Sequence, residues 1–281
     1  MDILSIGDFL APGTYNLLSR FSKVINYSFN KNLISFVCKE IGNGPTNIVV
    51  DDIQKIKEVE FIFENQVLRC GEIVYTFDGT LRYDSEIKHN IIENLKINDI
   101  IETLLPILKE QASELSLAFI FDENRKNYFK SSFELSFMNR ISEGMEKLRT
   151  GQIIECAETI HGCGFGLTPS GDDFITGMLN ALFILQEILG NKNLDSLREN
   201  ILKTSETENI ISFNAMKMAV NGRFHEKMKN MICALSEKDE NKIHSNCHKL
   251  LTMGETSGAD MLTGFLYTFV VENRFNYFSK Y

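Results

Sequence analysis

The chain has 281 residues, 43% hydrophobic and 24% charged with 4 prolines, so it can bury a sizeable core and is neither disordered nor collagen-like. Its 29 Lys and Arg against 38 Asp and Glu give a net charge of -9, the wrong sign for a general nucleic-acid or anionic-membrane surface. The six cysteines form no CxxC pair and no regular framework, which excludes a disulfide scaffold and fits reduced thiols in a cytoplasmic protein.

The opening residues, MDILSIGDFLAPG, contain no basic segment leading into an apolar run, so no signal peptide is expected. Strand signals then dominate. Residues 33–38, 46–50, 59–63, 66–70 and 72–77 are short, rich in β-branched and aromatic side chains, and separated by turn residues. In YTFDGTLRY the pair Asp78-Gly79 suits the positive φ angles of a tight hairpin. The expectation is an antiparallel sheet or small barrel forming a β-rich domain over residues 1–89.

From about residue 90 the apolar spacing becomes helical through Ile91, Leu95, Ile100, Leu104, Leu105 and Leu108, with Pro106 expected to kink or break the helix. One more strand is predicted at 117–121, and nearly everything beyond it reads as helix. Strands first and helices later, without regular alternation, give an α+β class with a mainly helical domain over residues 90–281. The apolar stretches near 174–189 and 261–271 are interrupted by polar residues or too short to span a bilayer.

The helical half contains a pseudo-repeat. SGDDFITG, beginning at Ser170, and SGADMLTG, beginning at Ser257, share Ser, Gly, the second Asp, Thr and the last Gly at a constant offset of 87 residues. Each follows a glycine-containing loop and precedes a strongly apolar helix. Ser170 and Ser257 suit an N-cap, and Asp173 and Asp260 stand where a capping box places its reciprocal carboxylate. Gly177 and Gly264 cost each helix about 1 kcal/mol of propensity, which predicts a close crossing of the two backbones there.

Upstream of the first copy lies HGCGFGLTPSGDD, with Gly162, Gly164 and Gly166 alternating. Such a backbone can curl its N–H groups around an anion, and a helix N-terminus behind it adds positive potential. The plainer reading is a tight turn packed on a buried helix end. The GxGxG spacing, after a helical segment, is not a dinucleotide fingerprint, and no Gly-Lys-Ser/Thr follows for a Walker loop. Asp172, Asp173 and Asp260 would repel a bare phosphate unless Mg2+ or a nearby cation offset them. Caps account for Asp173 and Asp260, which leaves Asp172 as the sharper functional candidate.

Other signals carry less. His244, Cys247 and His248 share helical spacing but have no fourth ligand, so no metal site is assigned. Cys163 lacks an evident base, with His161 the nearest candidate. The four methionines between 216 and 231 suit core packing.

The runs GFGLTPSGDDF and TSGADMLTG, with GNGPTNIVVDD at residues 42–52, FSKVIN at 21–26 and IISFNAMKMAVNGRF at 210–224, together resemble one bacterial family. It was long listed as a domain of unknown function and includes the AllH-type subunit of oxamate carbamoyltransferase. Phe165 and Glu255 depart from the family pattern, in which Pro and His are common at those positions. The resemblance implies companion subunits in anaerobic purine or allantoin nitrogen metabolism. There phosphate cleaves oxalurate to oxamate and carbamoyl phosphate, which a carbamate kinase uses to make ATP.

The expected site therefore has Asp172 and Asp173 as catalytic residues. Gly164, Gly166, Thr168, Ser170, Gly171, Thr256, Ser257, Gly258, Asp260, Asn43 and Asn47 bind a small anionic substrate in a cleft shared by the three glycine-containing segments. The leading expectation is a carbamoyltransferase subunit active only with companion subunits. The alternatives are a non-catalytic assembly or regulatory subunit, and a stand-alone Mg2+-dependent hydrolase using Asp172, Asp173 and Asp260. No cofactor is required by the sequence.

Overall fold

The structure is a computed structural model describing residues 2–64, 66–77 and 79–281. It divides into two compact units, Met1–Glu86 with Arg223–Lys229, and Ile87–Gly222 with Asn230–Tyr281.

Among the described residues the first unit holds nine strands: β1 (Ile3–Ile6), β2 (Gly13–Arg20), β3 (Val24–Phe29), β4 (Asn32–Val37), β5 (Asn47–Val50), β6 (Glu60–Glu64), β7 (Val67–Cys70), β8 (Ile73–Thr76) and β9 (Leu81–Arg82). They form one sheet in the order β8-β7-β6-β2-β3-β4-β5-β1-β9. The sheet is mixed where an antiparallel one was expected, because β4 and β5 run parallel, as do β1 and β9. Since β9 pairs with β1 at the far edge from β8, β8 and β9 do not form the expected hairpin. Asp78 of that turn lies outside the described residues. Alternation sets the buried face: in β6, Phe61 and Phe63 point inward between exposed neighbours. Tyr15, Tyr27 and Phe36 converge on Phe61 with ring centroids 4.8 to 5.4 Å away, and this aromatic cluster anchors the core.

The second unit contains α1 (His89–Ile92), α2 (Ile97–Gln111), α3 (Ser132–Arg149), α4 (Ile153–Ile160), α5 (Ser170–Leu189), α6 (Asn193–Thr204), α7 (Ile210–Val220), α8 (Glu226–Glu237, from Asn230 onward), α9 (Glu240–Leu251), α10 (Ser257–Phe275) and α11 (Tyr277–Lys280). Helix α2 continues through Pro106 without a break. The segment expected as a strand at 117–121 is a 3-10 turn, Leu117–Ile120. Its apolar side chains are buried in a helical environment with no strand partner, so packing outweighs their strand propensity.

Helices α5 and α10 form the centre of this unit and are buried along most of their length. A Cβ added at Gly177 would sit 1.9 Å from Met261 O, and one at Gly264 would sit 2.0 Å from Phe174 O. Phe174 and Met261 are themselves equivalent in the two octapeptides, so the contact is reciprocal. The expected crossing at the two glycines is therefore present, with the approximate two-fold relation that the repeat predicts. Among the described residues no helix is long and apolar enough to cross a membrane.

Candidate functional site

The repeat extends beyond the two central helices. In each copy a helix ends, a loop turns, and the next helix begins against the end of the first. A Cβ at Gly171 would meet Ile160 O at 1.9 Å, and one at Gly258 would meet Leu250 O at 1.8 Å. Only glycine lets the new helix start so close to the last carbonyls of the old one. Gly171 N–H donates to Cys163 O at 2.8 Å and Gly258 N–H donates to Met253 O at 3.0 Å, closing the loops alike.

In the first loop Gly164 has φ +126°, and a Cβ there would lie 2.4 Å from Ser170 N. The alternating glycines thus fold the loop back onto the start of α5. Loop closure engages the N–H groups of Gly162, which bonds Asp172 Oδ1, and of Cys163, which bonds Ile160 O.

The helix starts differ from expectation by one residue. Pro169 is the N-cap of α5 and Thr256 that of α10, with Ser170 and Ser257 already helical and no side-chain cap bond at either end. The capping boxes are not formed, and the two carboxyl groups take other partners. Asp173 accepts Thr168 Oγ1–H at 3.0 Å, and the same Thr168 oxygen lies 3.1 Å from Ser257 Oγ. Asp260 accepts Leu117 N–H at 2.6 Å. Thr168 therefore joins the loop, α5 and the start of α10, and the segments 166–173 and 256–260 meet at this contact.

Burial pushes the Asp260 carboxyl up to about 7, against the opposing effects of Leu117 N–H and the Ser170 and Thr256 side chains. Asp173 is raised well above the carboxylate range, first by burial and then by the nearby Asp260. Both shifts favour the uncharged carboxyl, which weakens the repulsion that ionised carboxylates would exert on an anion.

Asp172 lies deeper than the sequence suggested, with 1% exposure. Its Oδ1 accepts Gly162 N–H and stands 3.4 Å from His161 Nδ1. Cys163 is buried, which pushes its thiol up and makes it a poor nucleophile. Cys247 faces the core while His244 and His248 point outward, so they do not share a ligand face. Among the described residues no group of three or more His, Cys, Asp or Glu side chains is arranged to hold a metal ion. A cavity of about 490 Å³ beside α2, lined by residues such as Asp99, Glu102 and His244, includes none of the loop residues.

Asn43 and Asn47 belong to the first unit, where they serve a clasp on the Arg223–Lys229 segment. Asn43 N–H donates to Glu226 Oε2 at 2.6 Å and Asn43 O accepts Glu226 N–H at 3.1 Å. The Asn43 side chain accepts Ser5 Oγ–H at 2.5 Å, and the Asn47 amide donates to Gly42 O at 3.1 Å. Asn47 Nδ2 also lies 3.5 Å from His225 Nε2. Burial lowers the His225 pKa to about 4, so the ring is neutral in this clasp near pH 7.

Sequence reasoning missed three contributors to the loop. Asn209 caps α7 and donates to Leu167 O at 2.7 Å, which its place before an apolar helical run could have signalled. Arg140 donates to Thr159 O at 2.6 Å beside the loop, and Leu117 reaches Asp260 through its backbone. Neither carries a local signal.

Comparison with known proteins adds one finding. Residues 160–269 match the family model of oxamate carbamoyltransferase subunit AllH. The AllH match starts at the last residue of α4 and ends within α10, so it spans the glycine loop and both central helices. The AllH family is one of carbamoyltransferase subunits. No curated protein and no solved structure matches the chain.

Proposed function

We propose that the chain is a subunit of a multi-subunit carbamoyltransferase, and that the loop over residues 162–173, with the joined starts of α5 and α10, handles the anionic partners of the transfer. The carrying observation is that the AllH match falls on this structure, from the end of α4 through α10. The chemistry agrees with the site. Oxamate and oxalurate are carboxylates and carbamoyl phosphate is an acyl phosphate, so each suits the positive potential of a helix start. The upward shifts of Asp173 and Asp260 weaken the repulsion that a free acidic cluster would exert.

The test is reconstitution. The chain should form no carbamoyl phosphate alone, and should support its formation from oxalurate and phosphate when assembled with companion subunits. An assembled complex without that activity would sink the reading. Burial of Asp172 and Asp173 favours a second reading, in which the loop is scaffold for an assembly subunit. Full activity of companion subunits in the absence of this chain would favour it.

A further inference from the structure

The carboxyl group of Asp172 cannot meet a substrate directly from its place in the core, but it can act through the residue beside it. Its Oδ2 has no hydrogen-bond partner among the described residues, and the same is true of the buried Nδ1 of His161. The two side chains approach at 3.4 Å between Oδ1 and Nδ1. That is slightly long for a hydrogen bond, as proton-transfer pairs often are before substrate binds. The His161 side chain is 29% exposed, and because Nδ1 is buried the exposure belongs to the rest of the ring.

The arrangement has a chemical consequence. A carboxylate facing Nδ1 favours a proton there, which leaves the lone pair of Nε2 as the basic site. Gly162 N–H holds the other side of the pair by bonding Asp172 Oδ1 at 2.8 Å. Asp172 from α5 faces His161, and Arg140 and Lys147 of α3 bond Thr159 O and Thr159 Oγ1 two residues earlier. These cations suit an anionic reactant.

We propose that His161 is the proton-transfer residue of the carbamoyl transfer and that Asp172 is its positioning residue. The proposal rests on the carbamoyltransferase reading. An oxygen of hydrogen phosphate attacks the carbamoyl carbon of the N-carbamoyl amide donor, while His161 Nε2 takes the phosphate proton. The new C–O bond forms, the C–N bond breaks, and the imidazolium returns the proton to the departing amide nitrogen. Carbamoyl phosphate and a primary amide result, with total charge unchanged and His161 neutral again. The second copy of the repeat has Ala259 at the position of Asp172, so only the first copy holds this pair.

The assembled complex provides the kinetic test. His161→Gln should lower kcat for carbamoyl phosphate formation about 10²-fold or more with a much smaller change in KM. Added imidazole should partly restore His161→Gly. Asp172→Asn should lower kcat with little change in KM, and Asp172→Glu should restore part of the loss, because a carboxylate is what holds the imidazole in its Nδ1–H form. In the isolated full chain, nitrogen NMR should show the Nδ1–H form of neutral His161, and Asp172→Asn should move the tautomer population toward Nε2–H.

Full turnover by His161→Gln in an active complex, or a His161 tautomer unchanged by Asp172→Asn, would overturn the proposal and leave the carbamoyltransferase reading intact. A wild-type complex that makes no carbamoyl phosphate would overturn both.

Discussion

The first copy of the repeat, α4 to α5, and the second, α9 to α10, pack through the same residues but differ where the loop meets the helix. Gly171 and Gly258 both admit a preceding carbonyl, and Gly177 and Gly264 both admit the opposite helix. The first loop is three residues longer, since eleven positions separate Ile160 from Gly171 and eight separate Leu250 from Gly258. It also carries His161, and it leads to Asp172 where the second copy has Ala259. Shared residues therefore build the scaffold, and chemistry is sought in what the first copy has alone.

The largest effect should come from breaking what is shared. Gly177→Leu and Gly264→Leu would each drive a side chain into a backbone carbonyl now about 2 Å from the missing Cβ. Each should destabilise the protein by more than about 4 kcal/mol, because rigid helices must separate to admit it. Denaturant unfolding checks this, and a wild-type midpoint for either variant would mean that the helices do not cross there.

A second, smaller effect follows from the raised carboxyl at Asp260. An unfolded Asp titrates near 4, whereas the folded carboxyl is pushed up to about 7, so the folded chain holds an extra proton between those values. Its contribution to stability is complete below about pH 4 and is lost as pH rises through 7, by roughly 4 kcal/mol at most. Asp260→Asn cannot lose a proton and should gain stability relative to wild type between pH 4.5 and pH 8. An equal difference at both pH values would show that Asp260 titrates normally. Asp173 shifts in the same direction, so its role is not that of an ionised cap.

The sequence made the scaffold legible because packing between helices leaves local marks. Gly177 and Gly264 interrupt otherwise favourable helices at matched positions, and that cost has no local explanation. Strands β4 to β8 could be read for a similar reason, from alternation and turn residues. Parallel pairing of β9 with β1 could not, because Leu81 and Arg82 form a two-residue strand whose partner lies far away in the chain. At the site, the serines and aspartates were found but their bonding was not. A capping box is a local pattern, whereas Asp260 bonds the backbone of the distant Leu117, and the Thr168 hydroxyl that bonds Asp173 also approaches Ser257, 89 residues away. His161 was visible only as a lone histidine, since its pairing with Asp172 requires the loop to fold back.

Thr168 offers a more modest test of the junction between the copies. Thr168→Val keeps the shape but removes the hydroxyl that bonds Asp173 and approaches Ser257. The expected loss is about 1–2 kcal/mol, and the Asp173 carboxyl should become still harder to ionise. Glu255 occupies the matching position in the second copy and is exposed. Glu255→Ala should therefore change stability by less than about 0.5 kcal/mol. Similar losses at both positions would remove the asymmetry assigned to the longer loop.

The smallest expected effect asks whether the scaffold is symmetrical beneath that loop. Thr176 Oγ1–H donates to Asp172 O at 2.9 Å, and Thr263 Oγ1–H donates to Ala259 O at 2.7 Å, so matched hydroxyls reach back one helical turn in both copies. Both threonines are buried, and Thr→Val preserves their branching while deleting one hydrogen bond. Back-bonding of this kind contributes little to a helix, so each substitution should cost at most about 1 kcal/mol. The two costs should agree, because the acceptor in each case is a backbone carbonyl and the helices cross reciprocally at the following glycines. Equal shifts in paired unfolding curves would place the functional difference in the side chain of Asp172 and the loop above it. A distinctly larger cost at Thr176 would mean that the helix beneath Asp172 is itself specialised, and that the division between shared scaffold and distinct chemistry is drawn in the wrong place.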